Sequence, residues 1–283
     1  MAENLSQLDS QRLDAALATW PQWQPGPAQR PRIMSRLGGE SNDSFLVSDG
    51  SERWALRLNA AGTVLGVNRR NESAAHCAAA HAGIAPTVVY FTPEFLVTPF
   101  IAGAQASLSD LSDIGTLLSR VHELPVELPA LNPLAYLREN LQVDLIALAN
   151  DSNHQRTLLD DCACWLENNF PSEGTTFMPS HNDCLLANMI KSESGLMLID
   201  WEYASAMDPA FDLAAVCASS KLSEAQRSQL LQGYGVEKID TDFLKRLSYY
   251  QTYYQLIEIL WWRRRGEKNA EQLGALAREI LKR

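Results

Sequence analysis

The stretch that decides the fold is HNDCLLANMI, residues 181–190. It places His181, Asp183 and Asn188 around a short apolar segment. Asp and Asn are common turn formers, so each residue taken alone indicates no more than a turn. The spacing D-x-x-x-x-N, followed by a strand and a further carboxylate, is the order found in kinase catalytic loops. The combination therefore favours a catalytic loop.

A second carboxylate extends this pattern. Asp200 ends the apolar run MLID, 17 residues after Asp183, and a turn would bring it beside Asp183 and Asn188. Phosphoryl transfer depends mainly on positioning and charge neutralisation, which such a set can supply. We expect Asp183 to accept the proton of an attacking hydroxyl group. Asn188 and Asp200 are expected to hold Mg²⁺ through oxygen atoms, and His181 to hold the loop by hydrogen bonds.

These motifs resemble the aminoglycoside phosphotransferase and choline kinase superfamily, which has a protein-kinase-like fold. The matching strings are HNDCLLAN and LIDWEYASAMDPAFDLAAV, and the likeness is closest to bacterial choline kinases and thiamine kinases. The resemblance implies the same roles for the three polar residues, with ATP as phosphate donor. It also implies that Asp212 is a structural acid that braces the catalytic loop. The sequence departs from the family at Cys184 and Leu186, where such loops often carry Leu and Pro.

The distribution of local patterns predicts an α+β protein with two lobes. Residues 1–98 combine a helical start, short β-like runs separated by Gly and Pro, and an Ala-rich helix over 68–82. Residues 99–283 are mostly helical, with Ser109 as the expected N-cap of the first helix and His122 as a packing residue. We expect a small antiparallel sheet lobe that clamps the nucleotide, and a larger helical lobe that carries catalysis and acceptor binding.

The segment LGGESNDSFLV, residues 37–47, is expected to contact the nucleotide. Glycine allows a close backbone approach to phosphates, and the polar side chains add donors. A Gly-Gly turn between strands is common, and the segment is not the G-x-G-x-x-G of protein kinases. It does resemble the G-G-x-[ST]-N-x-x-[FY] loop of choline-kinase-like enzymes. The residues assigned to the nucleotide here are Gly38, Gly39, Ser41 and Asn42.

Two further features of the small lobe fit a nucleotide site. Arg57, in the run WALRLN, stands where protein kinases place Lys, and Glu72 on the following helix is its expected partner. The alternative is a strand-edge Arg and an exposed helical Glu. The run FLVTPFI is expected to supply adenine-binding backbone groups near Thr98 and Phe100, since Pro99 has no N–H.

The acceptor is expected to bind an aromatic helix within LSYYQTYYQLIEILWWRRR, residues 247–265. Helical spacing puts Tyr250, Tyr254, Ile257 and Trp261 on one face. Aromatic rings beside a carboxylate suit a quaternary or aromatic cation, although such a stripe more often belongs to a core. The residues assigned to the acceptor are Glu202, Tyr254, Glu258, Trp261 and Trp262.

The reaction expected from these features is phosphorylation of a small, cationic alcohol of the choline, ethanolamine or thiamine type. An aminoglycoside or amino-sugar kinase on the same fold is one alternative. A non-catalytic, nucleotide-binding pseudokinase is another, and it would commonly lack Asp183, Asn188 or Asp200. The sequence does not indicate an oligomeric state.

Composition and charge narrow the class of protein. The 283 residues carry a formal net charge of −10, which disfavours sequence-independent nucleic-acid binding. No apolar run is long enough to predict a membrane span. The N-terminus lacks a signal-peptide pattern, and five scattered cysteines without CxxC pairs fit reduced thiols. We therefore expect a cytoplasmic enzyme.

Overall fold

The computed structural model describes residues 7–38, 42–60, 64–147, 153–171, 176–235, 237, 239–265 and 270–280. Two residues expected to contact the nucleotide, Gly39 and Ser41, lie outside the described residues. Within the described ranges, an antiparallel sheet forms the N-terminal part and helices form most of the remainder. This division is the α+β arrangement that the sequence predicted.

The N-terminal part is built on a five-stranded sheet. Its elements are α1 (Gln7–Ala18), β1 (Arg32–Leu37), β2 (Asp43–Ser48), β3 (Arg53–Leu58), α2 (Arg69–His81), β4 (Tyr90–Phe91) and β5 (Phe95–Pro99). The strand order is β1-β2-β3-β5-β4, and neighbouring strands are antiparallel. Helix α2 matches the helix predicted over 68–82. Asn68 caps it by accepting hydrogen bonds from the backbone N–H groups of the first turn.

The two faces of β3 have different surroundings. Trp54, Leu56 and Leu58 are buried in a small core that also takes in the apolar face of α1. Successive side chains of a strand point to opposite faces. Ala55 and Arg57 therefore lie on the other face, where they line a cavity between the sheet and the helical part. The alternation of this strand is what presents Arg57 to the site.

The remaining elements form the larger part of the molecule. They are β6 (Ala104–Gln105), α3 (Leu111–His122), α4 (Pro133–Ala147), α5 (Asn153–Asn168), β7 (Met178–Ser180), β8 (Met189–Ser192), β9 (Gly195–Leu198), β10 (Ser205–Met207), α6 (Pro209–Ser219), α7 (Glu224–Tyr234), α8 (Thr241–Arg264) and α9 (Ala270–Ile280). Strands β6, β8 and β9 form one small sheet, and β7 pairs with β10. Helix α6 is buried along nearly its whole length and packs against α8 in the larger core.

Helix α2 links the two parts. Its Ala75 and Ala79 belong to the larger core, together with residues of α3 and α6. The helix therefore lies between β3 and β4 in sequence but packs on the helical part. This packing fixes the position of Glu72, on the same helix, beside Arg57.

The N-cap predicted at Ser109 is wrong, because the N-cap position of α3 is Asp110, whose side chain makes no capping bond to that helix. Ser107 caps the short 3-10 turn that precedes α3: its side chain accepts from the Ser109 N–H at 3.3 Å, and Asp110 accepts from the Ser107 N–H at 2.9 Å. This reciprocal pair closes a 3-10 turn, and α3 begins only at Leu111. The preference of Ser for N-caps identified the region but not which Ser is used.

Among the helices of the described residues, none is both long enough and apolar enough to cross a membrane.

Candidate active site

A cavity of about 680 Å³ lies between the sheet and the helical part. One side comes from the faces of β2, β3 and β5 that are turned away from the small core, and the other from the loops after β7 and β9 and from α8. It brings together most of the residues that the sequence singled out. Those that line it are Gly38, Asn42, Arg57, Thr98, Phe100, Asp183, Asn188, Asp200, Tyr254, Glu258, Trp261 and Trp262.

His181 holds the loop that carries Asp183. Its ring is fully buried, with Nε2 3.0 Å from the carbonyl oxygen of Ile199 and Nδ1 3.2 Å from the backbone N of Asp183. Nε2 therefore donates and Nδ1 accepts, which is the arrangement of a neutral imidazole. Burial lowers the pKa of His181, so the ring stays neutral. It joins the catalytic loop to the end of β9 and is not placed to act as the base.

Asp212, on the first turn of α6, braces the same loop. Its carboxylate accepts from the backbone N–H of His181 at 2.9 Å and of Asn182 at 2.8 Å. His122 donates a third hydrogen bond at 3.1 Å through Nε2, while its Nδ1 accepts from the hydroxyl of Tyr234 at 2.9 Å. Burial acts to raise the pKa of Asp212, but the hydrogen bonds from the His122 ring and from the His181 backbone N–H hold it below its usual value. The expectation that His122 only packs was therefore wrong, because its buried ring makes hydrogen bonds to Asp212 and Tyr234.

Asp183 and Asn188 are in direct contact. The Nδ2 of Asn188 lies 2.8 Å from the Asp183 carboxylate and 3.0 Å from the Asp183 carbonyl oxygen. This contact turns the Asn188 Oδ1 away from Asp183. Burial, followed by the charge of Asp200, raises the pKa of Asp183 to about 8. The buried Asp183 and the nearby Asp200 therefore favour a bound positive charge beside them.

Asp200 reaches the loop through an unusual backbone conformation. It adopts φ 66° and ψ 60°, the left-handed region, and Asn182 has φ 64°. Asn and Asp enter this region more readily than other residues with a Cβ. A hydrogen bond of 2.9 Å from the Ile199 N–H to the Asn188 carbonyl ties the end of the β9 strand to the catalytic loop. The Asp200 side chain then turns toward β3, where it pairs with Arg57.

Arg57 lies at the centre of a buried charge network. It forms ion pairs with Glu72 on α2 and with Asp200, and its Nε donates to the Asn59 side chain at 3.1 Å. Burial acts to lower the pKa of the guanidinium, but the charges of Asp200 and Glu72 outweigh it and raise the pKa. The pair expected from the sequence is present, and the bond to Asp200 was not foreseen.

Glu202 lies away from the aromatic residues of α8 that were expected to bind the acceptor. Its side chain is 2% exposed, it does not line the cavity, and its carboxylate is 3.3 Å from Arg69 at the start of α2. Arg69 also contacts Glu72 on the same helix at 2.7 Å. Its contact with Glu202 joins α2 to the loop that carries Asp200. The geometry gives Glu202 a bracing contact between the two parts of the molecule in place of the expected acceptor contact.

The segment after β5 also differs from expectation. Thr98 and Phe100 both line the cavity, but the Phe100 N–H donates to the Arg53 carbonyl oxygen at 3.0 Å. That N–H is engaged in strand pairing, so a backbone donor in this segment must come from another residue, and the nucleotide roles of Thr98 and Phe100 stay predictions. Ile101 lines the cavity as well and carries the next N–H along the chain.

The aromatic helix contributes a wall to the same cavity. Tyr254, Ile257, Glu258 and Trp261 line it, whereas Tyr250 is fully buried and packs edge-on against Phe211. The predicted face of α8 therefore runs from the core at Tyr250 to the cavity at Trp261.

Two local features shape the exposed end of this wall. The Arg265 guanidinium stacks 3.3 Å above the Trp261 ring, and Trp262 stands perpendicular to Trp261. Glu258 contributes a carboxyl group to the same wall, and burial raises its pKa.

Sequence reasoning missed three tyrosines that complete the enclosure. Tyr136 on α4, Tyr203 after Asp200 and Tyr253 on α8 all line the cavity. Only Tyr253 lies in a segment whose aromatic content pointed to a site. Tyr203 lies in the LIDWEYA string but was assigned no role, and Tyr136 had no signal in the sequence.

A divalent cation has suitable ligands here. The Asn188 Oδ1 and the Asp200 carboxylate belong to one cavity, beside an Asp183 whose pKa is raised partly by the charge of Asp200. The residues that the structure describes hold no cluster of three His, Cys, Asp or Glu side chains suited to a metal. Mg²⁺ does not need one, since it commonly binds one or two carboxylates and completes its shell with water and substrate phosphates. The residues present therefore fit Mg²⁺ shared with a nucleotide.

Comparison with known proteins gives the family. The profile described as the phosphotransferase enzyme family, APH, matches residues 32–247. The chain belongs to this family. The match spans the sheet, the catalytic loop and the start of α8, and it confirms the prediction of a phosphotransferase made from the HNDCLLAN and LIDWEYA strings.

Individual relatives match this phosphotransferase either at low sequence identity or over a short segment. The thiamine kinase of Salmonella typhi is 26% identical over 200 residues, which cover 68% of each chain. The LicA homologue of Metamycoplasma hominis is 47% identical over 57 residues, 20% of this chain and only 23% of that protein. The crystal structure of choline kinase LicA from Streptococcus pneumoniae is 19% identical, covers 98% of both chains and has a TM-score of 0.76. This likeness confirms the two-lobed, kinase-like fold.

Proposed function

We propose that this phosphotransferase is an ATP- and Mg²⁺-dependent kinase that phosphorylates the hydroxyl group of a small cationic alcohol of the choline, ethanolamine or thiamine type. The observation that carries the proposal is a shared cavity. Asp183, Arg57 and the aromatic wall with Glu258 all line it. A nucleotide phosphate at one end and a cation at the other would meet at Asp183.

The nucleotide would occupy the end formed by the sheet. Arg57 lies beside Asp200 and is suited to bind a phosphate through parallel N–H groups. Gly38 and Asn42 line the same end, and Thr98 with Ile101 offers backbone groups for the base. Glu72 would hold the guanidinium in place, as the corresponding Glu does in kinases generally.

Asn188 and Asp200 would hold Mg²⁺ between them and the nucleotide phosphates. The bound metal supplies positive charge that neutralises the phosphates and offsets the repulsion between Asp183 and Asp200. The contact from Asn188 Nδ2 to Asp183 would keep the Asn188 Oδ1 turned toward the metal.

Asp183 would act as the base. Its carboxylate would accept the proton of the acceptor hydroxyl as that oxygen bonds to the terminal phosphorus of ATP, while the bond from this phosphorus to the ADP oxygen breaks. The products are a phosphate ester, ADP and the proton held on Asp183. His181 and Asp212 would keep the loop in register for this step, through bonds to the backbone on both sides of Asp183.

The acceptor cation would lie against Tyr254, Trp262 and Glu258. Aromatic faces and a carboxylate attract a quaternary ammonium or a thiazolium ring, and their attraction grows in a partly desolvated site. Choline and thiamine, the substrates named for the relatives above, are both cationic alcohols. A cytoplasmic location goes with this proposal, because ATP is available there and all five cysteines are free thiols.

A screen of ADP release with Mg²⁺-ATP tests the proposal. The acceptors are choline, ethanolamine, thiamine, glucosamine and an aminoglycoside, with ATP alone as the blank. We expect one of the first three to stimulate ADP release well above the blank. Stimulation by the amino sugar or the aminoglycoside alone would contradict the proposed substrate class, and stimulation by none of the five would contradict the proposed activity on these alcohols.

A further inference from the structure

Two residues that line the cavity, Gly66 and Tyr136, approach each other closely. Gly66 belongs to the turn that precedes α2, and Tyr136 lies on α4, so each comes from a different part of the molecule. A Cβ built on Gly66 would lie only 2.7 Å from Cε2 of Tyr136 and 3.1 Å from its hydroxyl oxygen. Gly66 also has φ +81°, a conformation that favours glycine. Both the backbone conformation and the close approach of the Tyr136 ring therefore require glycine at this position.

The turn that carries Gly66 is firmly anchored. The Val67 N–H donates to the Val64 carbonyl oxygen at 3.1 Å, which closes the turn. Asn68 follows directly as the N-cap of α2, and Arg69, the first residue of the helix, contacts Glu202 at 3.3 Å. Gly66 is therefore positioned by the same contact that joins α2 to the Asp200 loop.

Helix α4, which carries Tyr136, is anchored to the aromatic helix. The Tyr253 hydroxyl donates to the Pro133 carbonyl oxygen at 2.8 Å, and Arg264 donates to the Asn140 side chain at 2.7 Å. These bonds lie on either side of Tyr136 along α4. Two separately supported pieces of backbone thus meet at the contact between Gly66 and Tyr136.

The contact lies beside the groups proposed to bind and activate the acceptor. Burial raises the pKa of Tyr136, and the charge of Asp183 adds to that effect. Tyr136 in turn affects the pKa of Tyr203, whose hydroxyl interacts with Trp261. Tyr136, Asp183 and Trp261 line the same cavity, and the bonds from Tyr253 and Arg264 hold α4 against the aromatic helix on either side of Tyr136.

We propose that Gly66 and Tyr136 form the wall that limits the size of the acceptor and excludes water from the transferred phosphoryl group. The inference rests on the function proposed above and narrows its substrate class. On this proposal the contact leaves room for a small cationic alcohol and excludes an aminoglycoside, which has several linked rings. Exclusion of water prevents hydrolysis of ATP without an acceptor.

The Tyr136→Ala variant tests this proposal, with Val143→Ala as a control on the exposed side of the same helix. For Tyr136→Ala we expect the KM of the preferred small alcohol to rise about tenfold. ADP formed per phosphorylated alcohol should rise above the ratio of about one expected for a coupled kinase. The relative kcat/KM for an aminoglycoside such as kanamycin should increase. Tyr136→Phe should behave like the wild type, because the ring edge and not the hydroxyl makes the closest approach.

Gly66→Ala provides an independent test, with Gly83→Ala as its control. Both glycines have positive φ, +81° and +71°, but a Cβ on Gly83 meets nothing within 4 Å. Gly66→Ala should lower kcat/KM for the small alcohol well beyond the effect of Gly83→Ala. In the double variant with Tyr136→Ala, the added Cβ no longer clashes, so the effect of Gly66→Ala should shrink.

The outcomes separate the two proposals. A wild-type protein that phosphorylates none of the alcohols overturns the proposed function and this inference with it. A wild-type protein that phosphorylates a small alcohol, with Tyr136→Ala matching Val143→Ala in acceptor KM, coupling ratio and aminoglycoside selectivity, overturns the inference alone.

Discussion

Arg57 on β3 and Asp200 after β9 form an ion pair across the cavity, although 143 residues separate them in sequence. The pair joins the sheet to the loop that carries the expected metal ligand. Glu72 holds the other side of the Arg57 guanidinium. Under the proposed function, a bound nucleotide with Mg²⁺ would compete for both partners of this pair.

We predict that Asp200→Asn abolishes Mg²⁺-dependent ADP release, with a loss of at least about a hundredfold. Asn is nearly isosteric and tolerates the left-handed backbone at this position. A melting temperature close to that of the wild type would show that the loss is not caused by unfolding. Turnover within threefold of the wild type would remove Asp200 from the metal site.

The second prediction concerns Asp183→Asn. We expect kcat to fall by about 10²- to 10⁴-fold, the range typical of losing a positioned base. The KM of ATP should change little, since the substitution keeps the size of the side chain and its neighbours. Steady-state kinetics with the acceptor identified by the screen would measure both. A loss confined to KM, with kcat retained, would exclude Asp183 as the base.

We predict that Asp212→Ala destabilises the fold by about 3 kcal/mol, because it leaves two backbone N–H groups and the His122 ring without their acceptor. Asp113→Ala on the exposed face of α3 is the control, and it should cost less than about 0.5 kcal/mol. Urea unfolding measures both values. Equal free energies of unfolding for the two variants would contradict the bracing role of Asp212.

The fourth prediction separates the cavity wall from the core within α8. Trp262→Ala should raise the acceptor KM by about tenfold, consistent with the loss of an aromatic contact to a cation. Leu244→Ala, on the exposed face of the same helix, should leave it unchanged. Tyr250→Phe should also leave it unchanged, because Tyr250 is buried against Phe211 outside the cavity. An acceptor KM for Trp262→Ala equal to that of Leu244→Ala would assign Trp262 to packing alone.

The catalytic loop could be predicted because its signal is local. Asp183 and Asn188 are five residues apart, and the short hairpin of β8 and β9 returns the chain to them at Asp200. The pair of Arg57 and Glu72 could be predicted from the kinase template, since strand alternation and one helix fix its geometry. Their roles in the reaction stay predictions.

The rest of the site depends on backbone directions that spacing does not encode. The left-handed conformation of Asp200 leads into a 3-10 turn, and Glu202 in that turn contacts Arg69 and does not reach the acceptor wall. Tyr250 and Tyr254 share a helical face, but α6 covers only the first of them completely. Gly66 and Tyr136 meet although they come from separate segments, the turn before α2 and helix α4.

The most direct test of the central claim is to count products. Purified protein is incubated with Mg²⁺-ATP and either choline or thiamine, and phosphorylated alcohol and ADP are quantified by mass spectrometry. The account predicts that one of the two alcohols yields a phosphate ester in step with ADP, and that Asp183→Asn yields almost none. Wild-type protein that forms neither ester under conditions where it remains folded and binds ATP would contradict the account.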